Sequence, residues 1–442
     1  MISDLLLQRL DDLQGPLPAT RYLVGFSGGL DSTVLLHALC QRREHHRTPV
    51  VAVHINHQLH ERAAEWDAHC RRFADELEVS YYSRTVTVIA GAAGLEAAAR
   101  EARYAAITEL VQPGDTVLSA HHEEDQAETL LLNLLRGSGP AGLAGIGAKQ
   151  PFGHGQLIRP MLGVPRQEIA AYAAAHGLVW MDDPSNSDLR FDRNFLRQEI
   201  LPRLRERWPA ASASIRHSAE LQAETAALLT ELAALDLAAL GGEPRRLAIA
   251  GLAPLSRGRQ RNLLKHAIRQ CGLPAAPSTR LRQAVDELIP AARDAQPEVH
   301  WPGAVLRRYR GTVYLLPEHA LDPRPPPLTL APNRRVVRLG EMLGTLELEA
   351  RTGGGIDPEL VASGLSVRFR AGGEKIRVAG RSHSQSLKNL LQEAAVVPWM
   401  RQHVPLLYAN DRLVAVADLW IAEEAWRAQG YAVRWQSKPP IF

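Results

Sequence analysis

Between residue 21 and about residue 120, short apolar strand patterns alternate with longer helical patterns. The strand patterns are RYLVGF, VVAVHIN, SRTVTVI and TVLSAH, and the helical patterns are DSTVLLHALCQRR, AAEWDAHCRRFADEL, GLEAAAREARYAAITELV and EEDQAETLLLNLLR. Because crossover helices connect parallel strands in this way, the alternation predicts an α/β fold with a parallel twisted sheet and helices on both faces. Ligands of such sheets bind beyond the carboxyl ends of the strands.

The segment SGGLDS, residues 27–32, lies between the first strand pattern and the first helical pattern. Unpaired N–H groups at a helix start, approached closely where glycine has no Cβ, form a cradle for phosphate. The two commonest nucleotide signatures, GxxxxGK[ST] and G-x-G-x-x-G behind a strand, are absent. The alternative is an ordinary glycine turn with a serine cap. The placement between strand and helix favours an anion-binding loop.

The chain of 442 residues is long enough for two or three domains. We predict an α/β domain at 1–215, a mostly helical domain at 216–316, a proline-rich linker at 317–333 and a small α+β domain at 334–442. No apolar run is long enough for a membrane span, and the first residues carry early carboxylates instead of a basic leader. We therefore expect a cytoplasmic protein with no membrane partner.

The cysteines and one histidine group give little sign of a metal site or a disulfide framework. The chain has three cysteines without paired spacing, Cys40, Cys70 and Cys271. This argues against a zinc ribbon, an iron–sulfur site and disulfides, and favours reduced thiols. The three histidines of HINHQLH, His54, His57 and His60, follow a strand pattern, where a spacing of three scatters the side chains. We do not expect them to bind a metal.

Two helical patterns carry candidate binding groups. Asp125 and Glu128 are three residues apart near a predicted helix start, so they share a face and could bind an ammonium group. The alternative is a solvated acidic first turn that suits the helix dipole. Upstream, Glu96, Arg100 and Arg103 have helical spacing, and a surface pair of Glu96 with Arg100 is the competing interpretation.

A local excess of cations occurs in RFRAGGEKIRVAGRSHSQSLKNLL, near the C-terminus. Its basic residues are Arg368, Arg370, Lys375, Arg377, Arg381 and Lys388, against the single acid Glu374. Such an excess is typical of a surface that contacts a phosphate backbone, and a solvated basic surface is the alternative. The stretch LRRYRG, with Tyr309 among three arginines, is a weaker second patch.

In order along the chain, eight segments resemble the bacterial tRNA-isoleucine lysidine synthetases. They are SGGLDS, VHINH, EAAAREARY, AHHEEDQAET, LLRGSGPAGLAGI, IRPML, DDPSNSDLRFDRNFLR and SLKNLLQEAAVVPWMRQHVPLL. The resemblance covers essentially the whole chain. The loop itself resembles the SGGxDS loop of the PP-loop pyrophosphatases, which cleave ATP between the α and β phosphates, and the last two blocks are specific to the synthetases.

The resemblance implies an ATP-dependent ligase that joins free L-lysine to carbon 2 of the wobble cytidine in the CAU anticodon of tRNA(Ile). ATP first adenylates the ring oxygen with release of pyrophosphate, and the lysine ε-amine then displaces AMP, which changes the codon read from AUG to AUA. In such an enzyme the first domain, 1–215, is the catalytic one and the last, 334–442, binds tRNA.

The resemblance also implies site residues. The ATP-binding loop is Ser27, Gly28, Gly29, Leu30, Asp31 and Ser32, with Asp31 on Mg²⁺. The catalytic set is Asp31, Arg103, His121 and Asp125. Free lysine is held by Arg103, Asp125 and Glu128. The tRNA is bound by Arg368, Arg370, Lys375, Arg377, Arg381 and Lys388.

Two other functions are consistent with the loop. A PP-loop tRNA thiolase needs catalytic or cluster-binding cysteines, and the cysteines here lack that spacing. A non-catalytic ATP-sensing RNA-binding protein keeps the loop and the basic domain but has no use for Asp125 and Glu128. The oligomeric state stays open, with a homodimer among the options.

Overall fold

A computed structural model describes the chain at residues 2–15, 18–58, 62–88, 95–184, 188–292, 295–318, 326–332, 334–340 and 343–438. The chain divides into two compact units, Met1–Leu229 and Thr230–Phe442. The division into four parts that the sequence suggests has other boundaries and stays a prediction. Most of the proline-rich run, 319–325, lies outside the described residues.

The first unit alternates helices and strands. Its helices are α1 (Ile2–Gln14), α2 (Leu30–Cys40), α3 (Arg43–His46), α4 (Ala63–Glu76), α5 (Leu95–Thr108), α6 (Glu123–Leu135), α7 (Pro140–Leu143), α8 (Arg166–Ala175), α9 (Asp192–Phe195), α10 (Leu201–Arg207) and the first part of α11 (Ala211–Ala239). Its strands are β1 (Tyr22–Gly25), β2 (Val50–Asn56), β3 (Ser80–Thr85), β4 (Thr116–Leu118), β5 (Lys149–Phe152) and β6 (Gly155–Ile158). A π-helical turn, Leu196–Ile200, joins α9 to α10.

These strands form one sheet in the order β3-β2-β1-β4-β6-β5. Neighbouring strands are parallel except β5, which pairs antiparallel with β6 at the edge. Side chains alternate across β1: Tyr22 and Val24 pack into a core with α1, α2 and α8, whereas Leu23 packs into a second core with α5. The predicted α/β fold with helices on both faces is therefore confirmed.

The strands predicted from the sequence differ from those of the structure in two places. The third strand, Ser80–Thr85, begins three residues before the predicted start at Ser83. Tyr81 fixes this register, because its hydroxyl donates to the Asp67 carboxylate on α4 at 2.7 Å. The β5–β6 hairpin was not predicted, because its two strands have only four residues each and lack a clear apolar alternation.

The second unit combines short helices with antiparallel sheets. Its helices after α11 are α12 (Ile249–Leu252), α13 (Arg257–Gln270), α14 (Ser278–Gln283), α15 (Pro358–Ala362) and α16 (Leu387–Glu393). Its strands are β7 (Arg246–Ala248), β8 (Glu298–Trp301), β9 (Ala304–Tyr309), β10 (Thr312–Pro317), β11 (Leu328–Leu330), β12 (Val336–Gly340), β13 (Gly344–Ile356), β14 (Leu365–Phe369), β15 (Lys375–Ile376), β16 (Gln385–Ser386), β17 (Pro405–Ala409), β18 (Arg412–Val416), β19 (Trp420–Ile421) and β20 (Trp426–Gln436).

Three larger sheets organise the second unit, with orders β7-β10-β9-β8, β11-β14-β17-β18-β19 and β12-β13-β20. The first packs against α13 and α14 around Leu263, Leu281 and Leu315, and the sequence patterns did not predict it within the helical region. The other two share a core with α16, and that core includes Tyr309 and Tyr314 of the first sheet. The region after residue 334 is thus the α+β fold that was predicted.

Within the described ranges, no helix combines the length and the apolar character needed to cross a membrane.

Candidate active site

The loop SGGLDS connects the carboxyl end of β1 to the first turn of α2. Gly28 has a φ of +78°, and a Cβ at this position would lie 2.8 Å from the Cys70 Sγ and 3.2 Å from the Trp66 ring. A larger residue would therefore be strained and would collide with α4. Gly28 also accepts a hydrogen bond from the Met181 N–H at 2.9 Å, which links the loop to the segment after α8. Both contacts hold the turn in one conformation.

Two serine hydroxyls close the loop from inside. The Ser27 and Ser32 hydroxyls lie 3.1 Å apart, and the Ser32 hydroxyl donates to the Gly29 carbonyl at 3.0 Å. Gly29 is the N-cap of α2 and provides no side-chain cap. The first N–H groups of a helix have no intrahelical acceptor and carry the positive end of its dipole. The loop thus presents donors to an anion at the sheet edge where α/β proteins bind ligands.

Asp31, in the first turn of α2, has a carboxylate suited to a cation. Its Oδ1 is buried and has no hydrogen-bond partner among the described residues. Burial raises the pKa of Asp31, the charge of Asp125 adds to this, and His122 opposes it. A carboxylate oxygen beside a phosphate cradle is the ligand type that Mg²⁺ prefers, with substrate phosphates completing the shell. Among the described residues, no group of three or more His, Cys, Asp or Glu side chains is placed to hold a metal ion without substrate.

His122, to which the sequence reasoning gave no role, connects the loop to α6. It is the N-cap of α6, and its buried ring has Nε2 3.7 Å from the Asp31 Oδ2 and 3.5 Å from the Asp125 Oδ2. Its Nδ1 lies 3.1 Å from the Glu124 carboxylate. Burial alone would lower the pKa of His122, but the hydrogen bond with Glu124 and the surrounding carboxylates raise it above its ordinary value. The raised pKa favours the protonated form of this ring, which faces the carboxylates of Asp31, Glu124 and Asp125.

Asp125 lies in the first turn of α6, next to the His122 ring. Its Oδ2 accepts from the backbone N–H of His122 at 3.0 Å, and its Oδ1 accepts from the Arg197 side chain at 3.0 Å. Burial would raise the pKa of Asp125, but the charges of His122, His121 and Arg197 outweigh it and lower the pKa. The alternative of a solvated acidic turn is excluded, since this carboxylate is enclosed and paired.

Glu128 lies one turn further along α6 and is completely buried. Arg197, on the π-helical turn, donates from Nε to its Oε1 at 2.6 Å and from Nη2 to its Oε2 at 2.9 Å. The Nε of Arg193 lies 3.4 Å from the same Oε2. Burial raises the pKa of Glu128 despite these cations. The two neighbouring carboxylates of α6 therefore have pKa values displaced in opposite directions.

His121 and Arg103 lie in different surroundings. The His121 Nδ1 is 2.6 Å from the Ser119 hydroxyl, and burial lowers the pKa of His121 to about 3, so the ring is neutral at physiological pH. Arg103 lies on α5 with its Nε 3.4 Å from the His57 Nε2 beyond the end of β2. The structure brings Asp31 and Asp125 together, but it records no contact of Arg103 with either of them within the described parts of the chain.

Sequence reasoning missed His122, Arg193 and Arg197. His121 and His122 are neighbours in the sequence, and residue spacing could not show which of the two caps α6 and contacts the loop. Arg193 and Arg197 are four residues apart in the block RNFLR, a helical spacing that places both on one face. That spacing was a usable signal, but their partner Glu128 is 69 residues away from Arg197.

The cysteines and the HINHQLH histidines form no second site in the described structure. Cys70 is fully buried, and burial raises its pKa to about 12, so it is a poor nucleophile. The His54 Nδ1 lies 3.0 Å from the Phe26 carbonyl oxygen, and His57 faces Arg103. His60 lies outside the described residues, as does the side chain of Glu96. A thiolase chemistry therefore finds no support in these thiols.

The six cations of the C-terminal cluster separate into two groups. Three have acidic partners: Arg368 with Asp411 at 2.5 Å, Arg370 with Glu374 at 3.6 Å, and Arg381 with Glu393 at 3.2 Å. The other three, Lys375, Arg377 and Lys388, are exposed and have no ion pair in the described chain. The unpaired group is the part of the cluster that has charge available for a phosphate backbone.

The second patch, LRRYRG, is not a stacking surface. The Tyr309 ring is buried in the C-terminal core, and its hydroxyl accepts from Arg401 at 2.9 Å. Arg308 is buried as well and donates to the carbonyls of Leu288 and Ile289 at 2.9 and 2.6 Å. Tyr309 and Arg308 therefore stabilise the fold, whereas Arg310 is exposed, so nucleic-acid binding by this stretch stays a prediction.

Three known protein families match three separate segments of the chain. The PP-loop domain family matches residues 4–204, the TilS substrate binding domain family matches 247–314, and the TilS substrate C-terminal domain family matches 365–435. One solved structure, the U34-tRNA thiolase NcsA from Methanococcus maripaludis, matches at 17% identity over 50% of this chain and 78% of its own, with a TM-score of 0.42. That similarity is too low to support an argument.

Curated relatives match over nearly the full length. The tRNA(Ile)-lysidine synthase of Alkalilimnicola ehrlichii is 44% identical over 94% of this chain and 93% of its own. Those of Coxiella burnetii and Pectobacterium atrosepticum are 38% and 41% identical, over 95% and 91% of this chain and 94% and 91% of theirs. Identity at this level over almost the whole of both chains shows common descent. The chain belongs to the tRNA(Ile)-lysidine synthase family.

Proposed function

We propose that this protein is an ATP-dependent ligase that forms lysidine at the wobble cytidine of the tRNA(Ile) with a CAU anticodon, using free L-lysine. One observation carries the proposal. The His122 ring joins a phosphate-type loop to a pair of enclosed carboxylates, because its Nε2 lies 3.7 Å from Asp31 and 3.5 Å from Asp125. A nucleotide phosphate and an amine can therefore be held at adjoining positions.

The first step is adenylation of the cytidine. The oxygen on carbon 2 of the ring attacks the α-phosphorus of ATP, a P–O bond forms, and pyrophosphate leaves. The loop residues Ser27 to Ser32, including Leu30, bind the phosphates through backbone N–H groups and hydroxyls. Asp31, whose Oδ1 has no hydrogen-bond partner among the described residues, would hold Mg²⁺. When bound, this ion neutralises the charge that develops on the phosphates.

The second step is attack by lysine. The ε-amine forms a bond to carbon 2, the oxygen leaves with AMP, and the nitrogen gives up a proton. An amine with an ordinary pKa of about 10.4 must lose one proton before it can attack. Asp125, with a lowered pKa, stays ionised and binds the ammonium, and Glu128, with a raised pKa, is the better proton acceptor.

His121 and Arg103 complete the proposed set. His121 is a neutral ring beside Asp125 that donates a hydrogen bond to the transferring phosphate or to the adenylated intermediate. The Arg103 guanidinium donates two parallel hydrogen bonds to the lysine carboxylate or to the α-phosphate. Its separation from the carboxylate pair is consistent with lysine, whose carboxylate and ε-amine are at opposite ends.

The tRNA contacts are proposed for the C-terminal cluster. Arg368, Arg370, Lys375, Arg377, Arg381 and Lys388 form one basic surface, of which the three unpaired members contribute most to affinity. A homodimer stays a prediction. Leu221, Leu228 and Leu235 recur every seven residues on α11 with exposed side chains, a spacing that suits helix pairing between two copies.

The experiment is an assay with transcript tRNA(Ile), ATP and each amino acid in turn. We expect a first release of pyrophosphate with tRNA and ATP alone, stable incorporation of label only with lysine, and neither with a transcript whose wobble cytidine is changed to uridine. A transcript of tRNA(Met) is the matched control for the shared anticodon. Incorporation of sulfur in place of lysine would support the thiolase, and ATP binding without turnover would support the RNA-binding protein.

A further inference from the structure

Arg197 already binds both carboxylates that the proposed function assigns to lysine. Its Nε and Nη2 bind the two oxygens of Glu128 at 2.6 and 2.9 Å, and the same Nη2 binds the Asp125 Oδ1 at 3.0 Å. Glu128 is fully buried, and Arg193 lies 3.4 Å from its Oε2. An incoming ammonium therefore finds no free oxygen on Glu128 in this arrangement.

We propose that Arg197 occupies the ammonium subsite of the lysine-free enzyme and is displaced when lysine binds. This inference rests on the proposed function, because it takes Asp125 and Glu128 as the lysine-binding pair. Arg197 is a positioning residue in this scheme. It keeps the pair ready for a cation, and it takes no part in the bond changes.

The chemistry explains why a stand-in cation is needed. Two carboxylates one helical turn apart repel each other, and burial penalises both charges, so a counterion beside them lowers the cost of keeping both ionised. Adenylation of the tRNA precedes the use of lysine, so the subsite holds no substrate during that step. Arg197 supplies the missing charge during that interval.

The surroundings of Arg197 allow it to leave. It lies on the π-helical turn Leu196–Ile200, a type of turn often found at functional sites, and its side chain is 26% exposed. The guanidinium can therefore rotate into water. Arg193 is held in place by a bond to the Thr129 hydroxyl at 2.8 Å. After displacement, Arg193 and the lysine ammonium balance the charges of Asp125 and Glu128.

The consequence for binding is a cost on lysine affinity. If the state without Arg197 in the subsite makes up about one part in ten of the enzyme, the apparent KM for lysine is about tenfold above its intrinsic value. Removing the Arg197 side chain removes that competition. A residue that merely supports the fold would not lower a substrate KM when deleted.

The test is a lysine titration of the transfer step with Arg197→Ala, using adenylated tRNA as the second substrate. We expect the KM for lysine to fall, up to about tenfold. Guanidinium chloride, at concentrations far below those that unfold the protein, should compete with lysine in this variant because it refills the subsite. Arg216→Ala, which removes a contact to Glu123 on the same helix, should leave the KM unchanged.

Two results would overturn the inference. One is a KM for lysine that is unchanged or raised in Arg197→Ala, and the other is a loss of turnover that guanidinium restores, which would make Arg197 part of the chemistry. If Arg197→Ala does not fold, Arg197→Lys carries the test, because it keeps a cation but lacks the fork that spans both carboxylates. Its KM should lie below the native value, and an unchanged KM contradicts the displacement.

The same titration separates this inference from the proposed function. Asp125→Asn and Glu128→Gln raise the KM for lysine if the pair binds the substrate. An unchanged KM in both variants would overturn the lysine site itself. Raised values in these variants, with no decrease in Arg197→Ala, would overturn only the displacement.

Discussion

His122 Nε2 lies 3.7 Å from the Asp31 Oδ2, so the residue that caps α6 contacts the loop at the start of α2. The two residues follow neighbouring parallel strands, β4 and β1, whose carboxyl ends meet at one edge of the sheet. This contact makes the ionisation of the phosphate loop depend on the helix that carries Asp125 and Glu128. The groups proposed for the two steps of lysidine formation therefore interact electrostatically through His122.

Asp31→Ala should abolish pyrophosphate release while the protein stays folded. The variant removes the carboxylate that would hold Mg²⁺, the ion that would neutralise charge on the phosphates, and loss of one such electrostatic stabiliser typically lowers kcat by about 10²- to 10³-fold. The measurement is pyrophosphate release with transcript tRNA, beside thermal unfolding. Asp4→Ala, a change to an exposed acid on α1, is the control. Near-normal release by Asp31→Ala would contradict the loop assignment.

His122→Gln should shift the pH dependence of pyrophosphate release. The variant keeps a polar side chain at the cap but removes the charge that holds down the pKa values of Asp31 and Asp125. Both pKa values then rise, so the acidic limb of the pH–rate profile moves to higher pH. An unshifted profile with reduced activity at every pH would mean that His122 acts only through the shape of the helix start.

Much of this architecture follows from local sequence patterns. Alternating strand and helix segments predict the sheet, and Gly28 predicts a turn that only glycine fills. The β7-β10-β9-β8 sheet was missed because a long run of helical sequence separates Arg246–Ala248 from the other three strands, so that no local pattern joins them. Pairing over such a distance depends on the core that forms, which single-segment patterns do not encode.

The site shows the same limit. The spacing of Asp125 and Glu128 indicated a shared face, but it could not show that Arg197, 69 residues from Glu128, neutralises them. The local excess of basic residues likewise predicted that Arg368 is available to a ligand, whereas Asp411, 43 residues away, pairs with it. Ion pairs between distant segments depend on tertiary structure, and they decide which charges a ligand can use.

Asp125→Asn and Glu128→Gln should separate the two chemical steps. Glu128→Gln keeps the shape but loses charge-assisted hydrogen bonds worth about 1.5–3 kcal/mol and can no longer accept a proton, so it should raise the KM for lysine and slow the transfer step while adenylation continues. Asp125→Asn should impair both steps, because Asp125 also contacts the imidazolium beside Asp31. The assay pairs labelled lysine incorporation with formation of adenylated tRNA. Equal effects of both variants on both steps would contradict this division.

Acid should destabilise the protein through histidines that are held neutral. Burial and the nearby Arg103 lower the pKa of His57 to about 4 from about 6.5. The unfolded chain therefore binds more protons between these values, and stability present above pH 6.5 is lost as the pH falls toward 4. In His57→Gln, the slope of unfolding free energy against pH should fall by up to one proton in this window. An unchanged slope would mean that His57 is solvated in the folded protein.

The unpaired cations of the C-terminal cluster should account for most of its salt dependence in tRNA binding. The triple variant Lys375→Gln, Arg377→Gln and Lys388→Gln should bind tRNA more weakly. It should also reduce the slope of log K against log salt by about 0.7–0.9 for each phosphate that is no longer neutralised. The matched triple, Arg368→Gln, Arg370→Gln and Arg381→Gln, has the same formal charge change. Each of its members is already paired with an acid and is not available to a phosphate, so this triple should change the slope less.

These point variants are preferable to truncation near residue 330. Thr230–Phe442 is one compact unit, and its core joins Tyr309 and Tyr314 to the C-terminal sheets, so a truncated chain would lose packing as well as charge. Binding is measured by filter retention across a salt series, with ATP binding as the check on folding. If both triples reduced the slope equally, the ion pairs in the cluster would open on tRNA binding, and all six cations would contact phosphate. If neither changed it, the tRNA surface would lie elsewhere on the protein.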